Sequence, residues 1–309
     1  MLEKLAHWVC AETHTRQMHR RDFEVLRRYC VLLVAVFLSG VSSATGAEMP
    51  ICGPVCRCSI ASAERQCSAE SKDFVVRSFV GGPDAYDVVR HCDAVCAQLR
   101  ANVFGLHEAT RWRPRCRVVL HASRQSYLRA VGAVGGQTIG SSSITLSGGR
   151  VTGRRIDLVA TSEGQGLAAL PHELVHVLFA DAFPTTAPPK WAEEGLALLM
   201  DTADKRARHE WDLDVAIRTR SSIPLARLLA DSDYPAAQQR AVFYAQSLSL
   251  VEFLTDLKSP TEFVRFVKLS MERGHNHALA AVYGLDCHQL SRRWWKHASG
   301  IQLASATTR

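Results

Sequence analysis

The pattern of hydrophobic and polar positions changes period about halfway along the chain. In the first half, alternation over residues 74–79 predicts a strand, which is followed by a helix over residues 85–100 and a second strand over residues 116–121. Two later runs, residues 143–146 and 155–160, bracket several glycines and predict a hairpin at the end of a glycine-rich loop. These elements together predict a small mixed or antiparallel sheet.

The second half of the chain carries broad apolar faces with helical spacing. Residues 242–254, 263–267 and 290–297 predict helices, and the polar end over residues 298–309 predicts a flexible tail. The predicted fold class is therefore α+β, with a small sheet followed by a mostly helical half. The main domain is expected to span residues 73–297, since 309 residues suffice for one large domain.

One helical segment carries a pattern with clear chemistry, HExxH, formed by His172, Glu173 and His176. Two histidines four residues apart lie on one face of a helix, where both imidazoles can bind a single Zn²⁺. An amphipathic helix with two surface histidines would show the same spacing. The residues around the motif are apolar on most sides, however, which predicts a buried helix. Buried polar side chains need partners, and a metal ion supplies one.

The chemistry of this pattern is hydrolysis. A zinc ion on His172 and His176 makes its water acidic and polarises a scissile carbonyl. Glu173 follows the first ligand and is the predicted general base, which takes the proton of the attacking water. A metzincin would require glycine at position 179 and histidine at position 182, but the chain has Phe179 and Ala182, so that subclass is excluded.

A second segment follows a proline-rich turn and reads W-x-x-E-G-x-A, from Trp191 to Ala197. With HExxH, it resembles the peptidase MA-like gluzincin domains, over roughly residues 70–297. The resemblance implies a zinc metallopeptidase whose third metal ligand is Glu194, with 17 residues between it and His176. Glu193 is the neighbour with which that ligand could be confused. Two histidines and one glutamate would leave one zinc position open, as hydrolytic sites require.

The same resemblance implies a tyrosine or histidine that stabilises the oxyanion. Tyr244 is the candidate, although a core aromatic in an apolar helix would look the same; His209 and Tyr234 are weaker alternatives. Asp201 could orient a metal ligand, but an aspartate on the surface at a helix end is the preferred interpretation.

The beginning of the chain has the layout of an export signal. Residues 1–47 combine a basic start with an apolar run over residues 29–44 and small residues, which predicts a signal peptide cleaved after Ala44 or Ala47. An uncleaved membrane anchor is the alternative, and Met18 is an alternative start. The predicted location is extracytoplasmic, either secreted or periplasmic. Residues 48–72 are expected to be a cysteine-rich, poorly structured leader.

Cysteine usage agrees with export. Of the ten cysteines, eight follow the predicted signal, and an even number in an exported chain predicts disulfides. One of Cys92 and Cys96 is expected to bridge to Cys116. The cysteines between residues 52 and 67 could instead form a second metal site, although thiolate ligands suit a reducing compartment better.

Charge and composition limit the kinds of binding partner that the sequence predicts. The net charge is +7, of which residues 1–47 contribute +2, and the remaining +5 is interpreted as dispersed. Nucleic acid is therefore not an expected partner, and a membrane is expected only through an uncleaved anchor. A peptide or protein is the expected substrate. Two alternatives remain open from sequence: a catalytically silent zinc-binding exported module, and a disulfide-rich structural protein with a chance HExxH.

Overall fold

A computed structural model describes residues 57–59, 66–79, 81–106, 111–132, 136, 138–160 and 166–306. All of them belong to one compact unit, Ile51–Arg309. The predicted export signal lies outside the described residues. Within the described ranges, no helix is both long enough and apolar enough to cross a membrane.

Six strands form a single mixed sheet with the order β1-β2-β3-β4-β6-β5. Their bounds are β1 Arg57–Ser59, β2 Gln66–Glu70, β3 Phe74–Phe79, β4 Cys116–His121, β5 Gly140–Ser147 and β6 Arg150–Val159. The central strands β3, β4 and β6 are parallel, and the outer pairs are antiparallel. The mixed sheet is thus confirmed. The prediction of a poorly structured leader over residues 48–72 is wrong for the described residues 57–59 and 66–72, because β1 and β2 extend the sheet.

Ten α-helices follow or interrupt the strands in the described chain, which confirms the α+β class. They are α1 Ala85–Asn102, α2 Arg124–Val131, α3 Leu170–Ala182, α4 Lys190–Leu199, α5 Ala203–Arg218, α6 Leu225–Ala230, α7 Arg240–Leu257, α8 Pro260–Arg273, α9 His275–Tyr283 and α10 Cys287–Ala306. The flexible tail predicted over residues 298–309 is wrong in part, because α10 continues to Ala306.

The two faces of the sheet have different coverings. Residues of even number, such as Val76, Val118 and Leu158, are fully buried beneath α1 and α3. Residues of odd number point to the opposite face, which α2 crosses where it contacts β4 and β6. Buried His121 on this face lies 2.7 Å from Asp157 and 3.0 Å from Ser126 of α2, and these contacts attach that helix to the sheet.

The predicted hairpin is confirmed and is longer than expected. β5 and β6 pair antiparallel through Gly148 and Gly149, whose φ angles of 55° and 69° suit a tight two-residue connection. The hairpin places β5 at the edge of the sheet, next to α3. Serines 141 to 143, which look like loop residues in the sequence, are therefore part of an edge strand.

The described cysteines do not form the predicted bridge. Cys92, Cys96 and Cys116 are almost fully buried and are free thiols. Burial raises the pKa of Cys96 to about 12, so that thiol remains protonated at neutral pH. The expectation of a disulfide to Cys116 is therefore wrong in this structure, and these side chains act as small hydrophobic residues in the core.

Candidate metal centre

The two histidines of HExxH face each other on α3. Nε2 of His172 lies 3.3 Å from Nε2 of His176. Two ring nitrogens this close need either a shared proton or a shared cation. Nitrogens bound to one tetrahedral Zn²⁺ at about 2.0–2.1 Å each lie about 3.3–3.4 Å apart. The spacing of the two histidines therefore fits a zinc ion.

A third potential ligand comes from α4. The side-chain ligand atoms of Glu194 and of both histidines all lie within 4.8 Å of one another. Helix α4 follows a proline-rich turn and lies beside α3, as the sequence predicts. Because α4 also packs closely on α7, Glu194 is held in a buried position, with 7% of its surface exposed. The structure therefore brings together all three residues predicted as metal ligands.

Glu193 has a different position from its neighbour. Its Oε1 accepts a hydrogen bond from Nδ1 of His176 at 2.8 Å, and its Oε2 accepts one from Lys190 at 2.7 Å. Burial opposes the ionisation of both partners, but the hydrogen bond and the charge of the pair outweigh it. The pKa of His176 therefore rises to about 9 and that of Glu193 falls to about 2. A carboxylate on Nδ1 leaves Nε2 for a metal and orients the ring.

Asp201 lies near Nδ1 of the other histidine, at a longer distance. Its Oδ2 lies 3.5 Å from Nδ1 of His172, and its Oδ1 accepts a hydrogen bond from Lys205 at 3.2 Å. Burial would raise the pKa of Asp201, but the neighbouring His172 and Lys205 lower it below its usual value. Only 8% of its surface is exposed, so the preferred interpretation of Asp201 as a surface residue is wrong.

The carboxylates around the two histidines favour a bound cation. Four carboxylates are buried there, with 7–8% of their surface exposed: Glu173, Glu193, Glu194 and Asp201. Two lysines, Lys190 and Lys205, are bonded to two of them. Because buried charge is costly without compensation, the other two carboxylates, Glu173 and Glu194, favour a cation next to the histidines. The donor set and the charge thus both fit Zn²⁺.

Glu173 lies in the wall between α3 and the edge strand. A Cβ atom at Gly140, the first residue of β5, would be 2.9 Å from its Oε1 and 3.0 Å from the Cβ of Ala169. Only glycine fits there, so β5 can approach Glu173 closely. This arrangement places the predicted general base beside the open edge of the sheet.

Two tyrosines flank Glu194. The hydroxyl of Tyr234 donates a hydrogen bond to Oε1 of Glu194. The Tyr244 ring lies 6.4 Å from the Tyr234 ring and 6.3 Å from the imidazole of His209. Burial, followed by the charge of Glu194, raises the pKa of Tyr244. All three residues weighed as oxyanion donors therefore lie around the metal centre, although only Tyr234 contacts a predicted ligand directly.

Sequence reasoning missed three residues that support the site. Lys190 forms a salt bridge with Glu193, and Lys205 forms one with Asp201. Gly140 has no side chain and so leaves space for the carboxylate of Glu173. The lysines stand three and four positions from their carboxylates, at helical spacing, and this was a readable signal. The sequence around Gly140 contains no such signal, because the importance of this glycine depends on its contact with Glu173, a residue distant in sequence.

Two partly buried histidines and a buried glutamate that could hold one metal ion, with a second glutamate beside them near the sheet edge, fit a metal-dependent hydrolytic domain. Residues 155–300 match the family model described as Peptidase MA superfamily. This similarity indicates a metallopeptidase-like domain in this part of the chain, which implies a peptide or protein substrate. The matched residues include both zinc segments. No curated protein matches the chain.

Proposed function

We propose that the protein is a zinc-dependent metallopeptidase of the gluzincin type. The observation that carries the proposal is the convergence of ligand atoms of His172, His176 and Glu194 within 4.8 Å, with Glu193 hydrogen-bonded to Nδ1 of His176 and Asp201 3.5 Å from Nδ1 of His172. This arrangement has the donor types, the charge and the outer carboxylates of a catalytic zinc site.

When bound, zinc would act as a Lewis acid on the scissile carbonyl and on the attacking water. The chain's own groups then handle protons and orientation. Glu173 accepts the proton of the attacking water on its carboxylate and delivers it to the leaving amine. Because Glu173 is buried against Gly140, its carboxylate is held in one position rather than free in solvent.

The edge strand β5 supplies a surface for an extended substrate. Among the described strands, β5 pairs only with β6 and forms an edge of the sheet, and it begins at Gly140 beside Glu173. A peptide that adds to this edge by backbone hydrogen bonds would place its carbonyls along the cleft in front of α3. Backbone pairing of this kind accepts many sequences, so side-chain preference must come from elsewhere in the cleft.

Tyr244 is the proposed oxyanion donor. Its half-buried hydroxyl is close enough to Glu194 for the glutamate charge to raise its pKa, so it stays protonated and can donate. Tyr234 already donates to Glu194 and is better placed to hold that ligand. The basic and apolar start of the chain supports the further proposal that the enzyme is exported and acts outside the cytoplasm.

Zinc content and turnover test the proposal together. Mass spectrometry of the purified protein should show one zinc per chain, lost in His176→Ala. Glu173→Gln should keep its zinc and lose at least about 100-fold in turnover of a peptide library, because only the base is removed. Glu272→Gln is the matched control, since this exposed glutamate lies on α8.

The outcomes separate the alternatives. Normal hydrolysis by Glu173→Gln would remove that residue from the mechanism. Full zinc occupancy without hydrolysis of any library peptide would favour a silent binding module. A wild-type protein that binds no zinc after refolding with the metal would refute the metal centre itself.

A further inference from the structure

The face of the sheet opposite α3 exposes arginines on its three parallel strands. Along β3 and β4, the even-numbered residues are buried, while Arg77 and Arg117 are exposed on the other face. Arg155 of β6 points the same way, and its guanidinium is turned onto Asp157 at 2.6 Å and 2.7 Å. Among the described elements, helix α2 covers this face near His121 and Asp157, while Arg77 and Arg117 are exposed.

The register brings these arginines close together. Arg117 lies directly opposite Arg155 across the β4–β6 ladder. Arg77 lies opposite Val119, which is the next outward position after Arg117 on β4. Like charges directly opposite each other destabilise a sheet. Asp157 offsets the charge of Arg155, but the side chains of Arg77 and Arg117 form no hydrogen bond or ion pair within the described chain.

A second group of arginines continues from this face. From Arg111 to Arg117 every second residue is arginine, while the intervening Trp112 and Cys116 are buried. Arg111 donates to the carbonyl of Lys72 at the β2–β3 turn, and Arg115 pairs with Glu70 of β2 at 2.9 Å. The exposed residues of this run therefore lie where β3 and β4 begin.

Together these residues form one strongly basic surface, the arginine face. Its seven basic members are Lys72, Arg77, Arg111, Arg113, Arg115, Arg117 and Arg155. Two of these residues, Arg115 and Arg155, pair with the acidic Glu70 and Asp157. Basic side chains therefore outnumber acidic ones on this surface.

We propose that the arginine face docks on the anionic lipid headgroups of a membrane. Charge complementarity carries the proposal, because guanidinium groups bind phosphate oxygens in pairs and each basic residue near an anionic bilayer strengthens binding. The choice of a membrane rests on the proposed export, which brings the chain to a lipid surface. Nucleic acid is less suited, since Trp112 is buried and offers no ring on which bases could stack.

The position of the face is compatible with catalysis. The zinc ligands of α3 lie on the other side of the sheet, and substrate is proposed to enter along the edge strand β5. A membrane bound through Arg77, Arg113 and Arg117 would leave that edge accessible. The proposed enzyme would then act on peptides or proteins close to the bilayer surface.

Vesicle binding tests this proposal without any turnover. Residues 51–309, which form one compact unit, are sedimented with phosphatidylcholine vesicles that contain or lack phosphatidylglycerol. The expected result is binding only to the anionic vesicles, with loss in high salt. Arg77→Gln/Arg113→Gln/Arg117→Gln should lower the partition coefficient at least about tenfold. The matched control is Arg292→Gln/Arg293→Gln/Lys296→Gln, which removes three exposed charges from α10 and should bind as the wild type does.

Each other outcome counts against the proposal. If both triple variants lose vesicle binding equally, net charge alone determines binding. If the protein binds equally well with and without phosphatidylglycerol, recognition of anionic headgroups is excluded. Binding to single-stranded RNA without binding to vesicles would assign the face to another partner. Zinc content and unfolding midpoint of each variant show that it is folded. Because no step of the assay needs turnover, failure here leaves the metal centre untouched.

Discussion

His176 and Glu193 are joined by a hydrogen bond of 2.8 Å between Nδ1 and Oε1, and this contact gives the two adjacent glutamates of α4 separate roles. Successive residues of a helix point about 100° apart, so Glu193 and Glu194 cannot present their carboxylates to the same atom. Glu193 reaches the Nδ1 side of the imidazole, whereas Glu194 lies with the Nε2 atoms. The geometry therefore favours Glu194 as the proposed ligand and Glu193 as the residue that orients His176.

Substituting each glutamate in turn should separate these roles. Glu194→Gln removes a charged ligand and should abolish stoichiometric zinc. Glu193→Gln keeps the three ligands and should weaken zinc binding by only about 10–100-fold, as is usual for outer carboxylates. Competition with a chromogenic chelator measures both affinities. The reverse order of the two effects would mean that Glu193 is the ligand.

The two tyrosines make distinct predictions as well. Tyr244→Phe should lower kcat by about 100-fold or more, with zinc affinity unchanged, because it removes a donor to the oxyanion. Tyr234→Phe frees an oxygen of Glu194, so it should change zinc affinity more than kcat. Steady-state kinetics on zinc-loaded protein, beside chelator competition, distinguishes the two. If Tyr234→Phe shows the loss in kcat, the oxyanion donor is Tyr234.

The parts of this site that could be predicted from sequence are those set by local spacing. His172 and His176 lie on one helix face whatever the rest of the fold does, and W-x-x-E-G adds Glu194 by resemblance. The strands and helices followed from periodicity for the same reason. The contact of Tyr234 with Glu194 joins residues 40 positions apart and leaves no local pattern.

Burial explains the remaining errors. Asp201 follows a helix end, where an aspartate is usually solvated, but α5 folds back and covers it through Lys205. The arginine face was overlooked because its members come from separate strands, and only the register of the sheet shows that Arg117 lies opposite Arg155. In each case a tertiary contact decides what a residue does, and periodicity does not report such contacts.

The role of Asp201 can be tested by comparing the zinc affinity of a variant at this position with that of a variant at a nearby exposed aspartate. Asp201→Ala removes the carboxylate next to Nδ1 of His172 and should weaken zinc binding by about 10–100-fold. Asp204→Ala is the matched control, since Asp204 is exposed in the first turn of α5. Unchanged zinc affinity in Asp201→Ala would show that the 3.5 Å contact does not orient the ligand.

Gly195, the glycine of W-x-x-E-G, should be required for packing as much as for chemistry. A Cβ atom at this position would lie 2.5 Å from the carbonyl oxygen of Ser247 and 2.5 Å from Cγ2 of Val251, both on α7. Gly195→Ala must therefore push α4 away from α7. Overpacking of this kind costs about 1–3 kcal/mol, which exceeds the gain of about 1 kcal/mol that alanine brings to a helix.

Urea unfolding with Gly300→Ala as the control tests this prediction. Gly300 lies in α10, and no atom lies within 4 Å of a Cβ there, so alanine should raise the free energy of unfolding by up to about 1 kcal/mol. Gly195→Ala should lower it and should also weaken zinc binding, because Glu194 is the preceding residue and moves with the helix. Stabilisation by both substitutions would show that α4 can move away from α7 without cost, and that the glycine is not needed to hold the ligand in place.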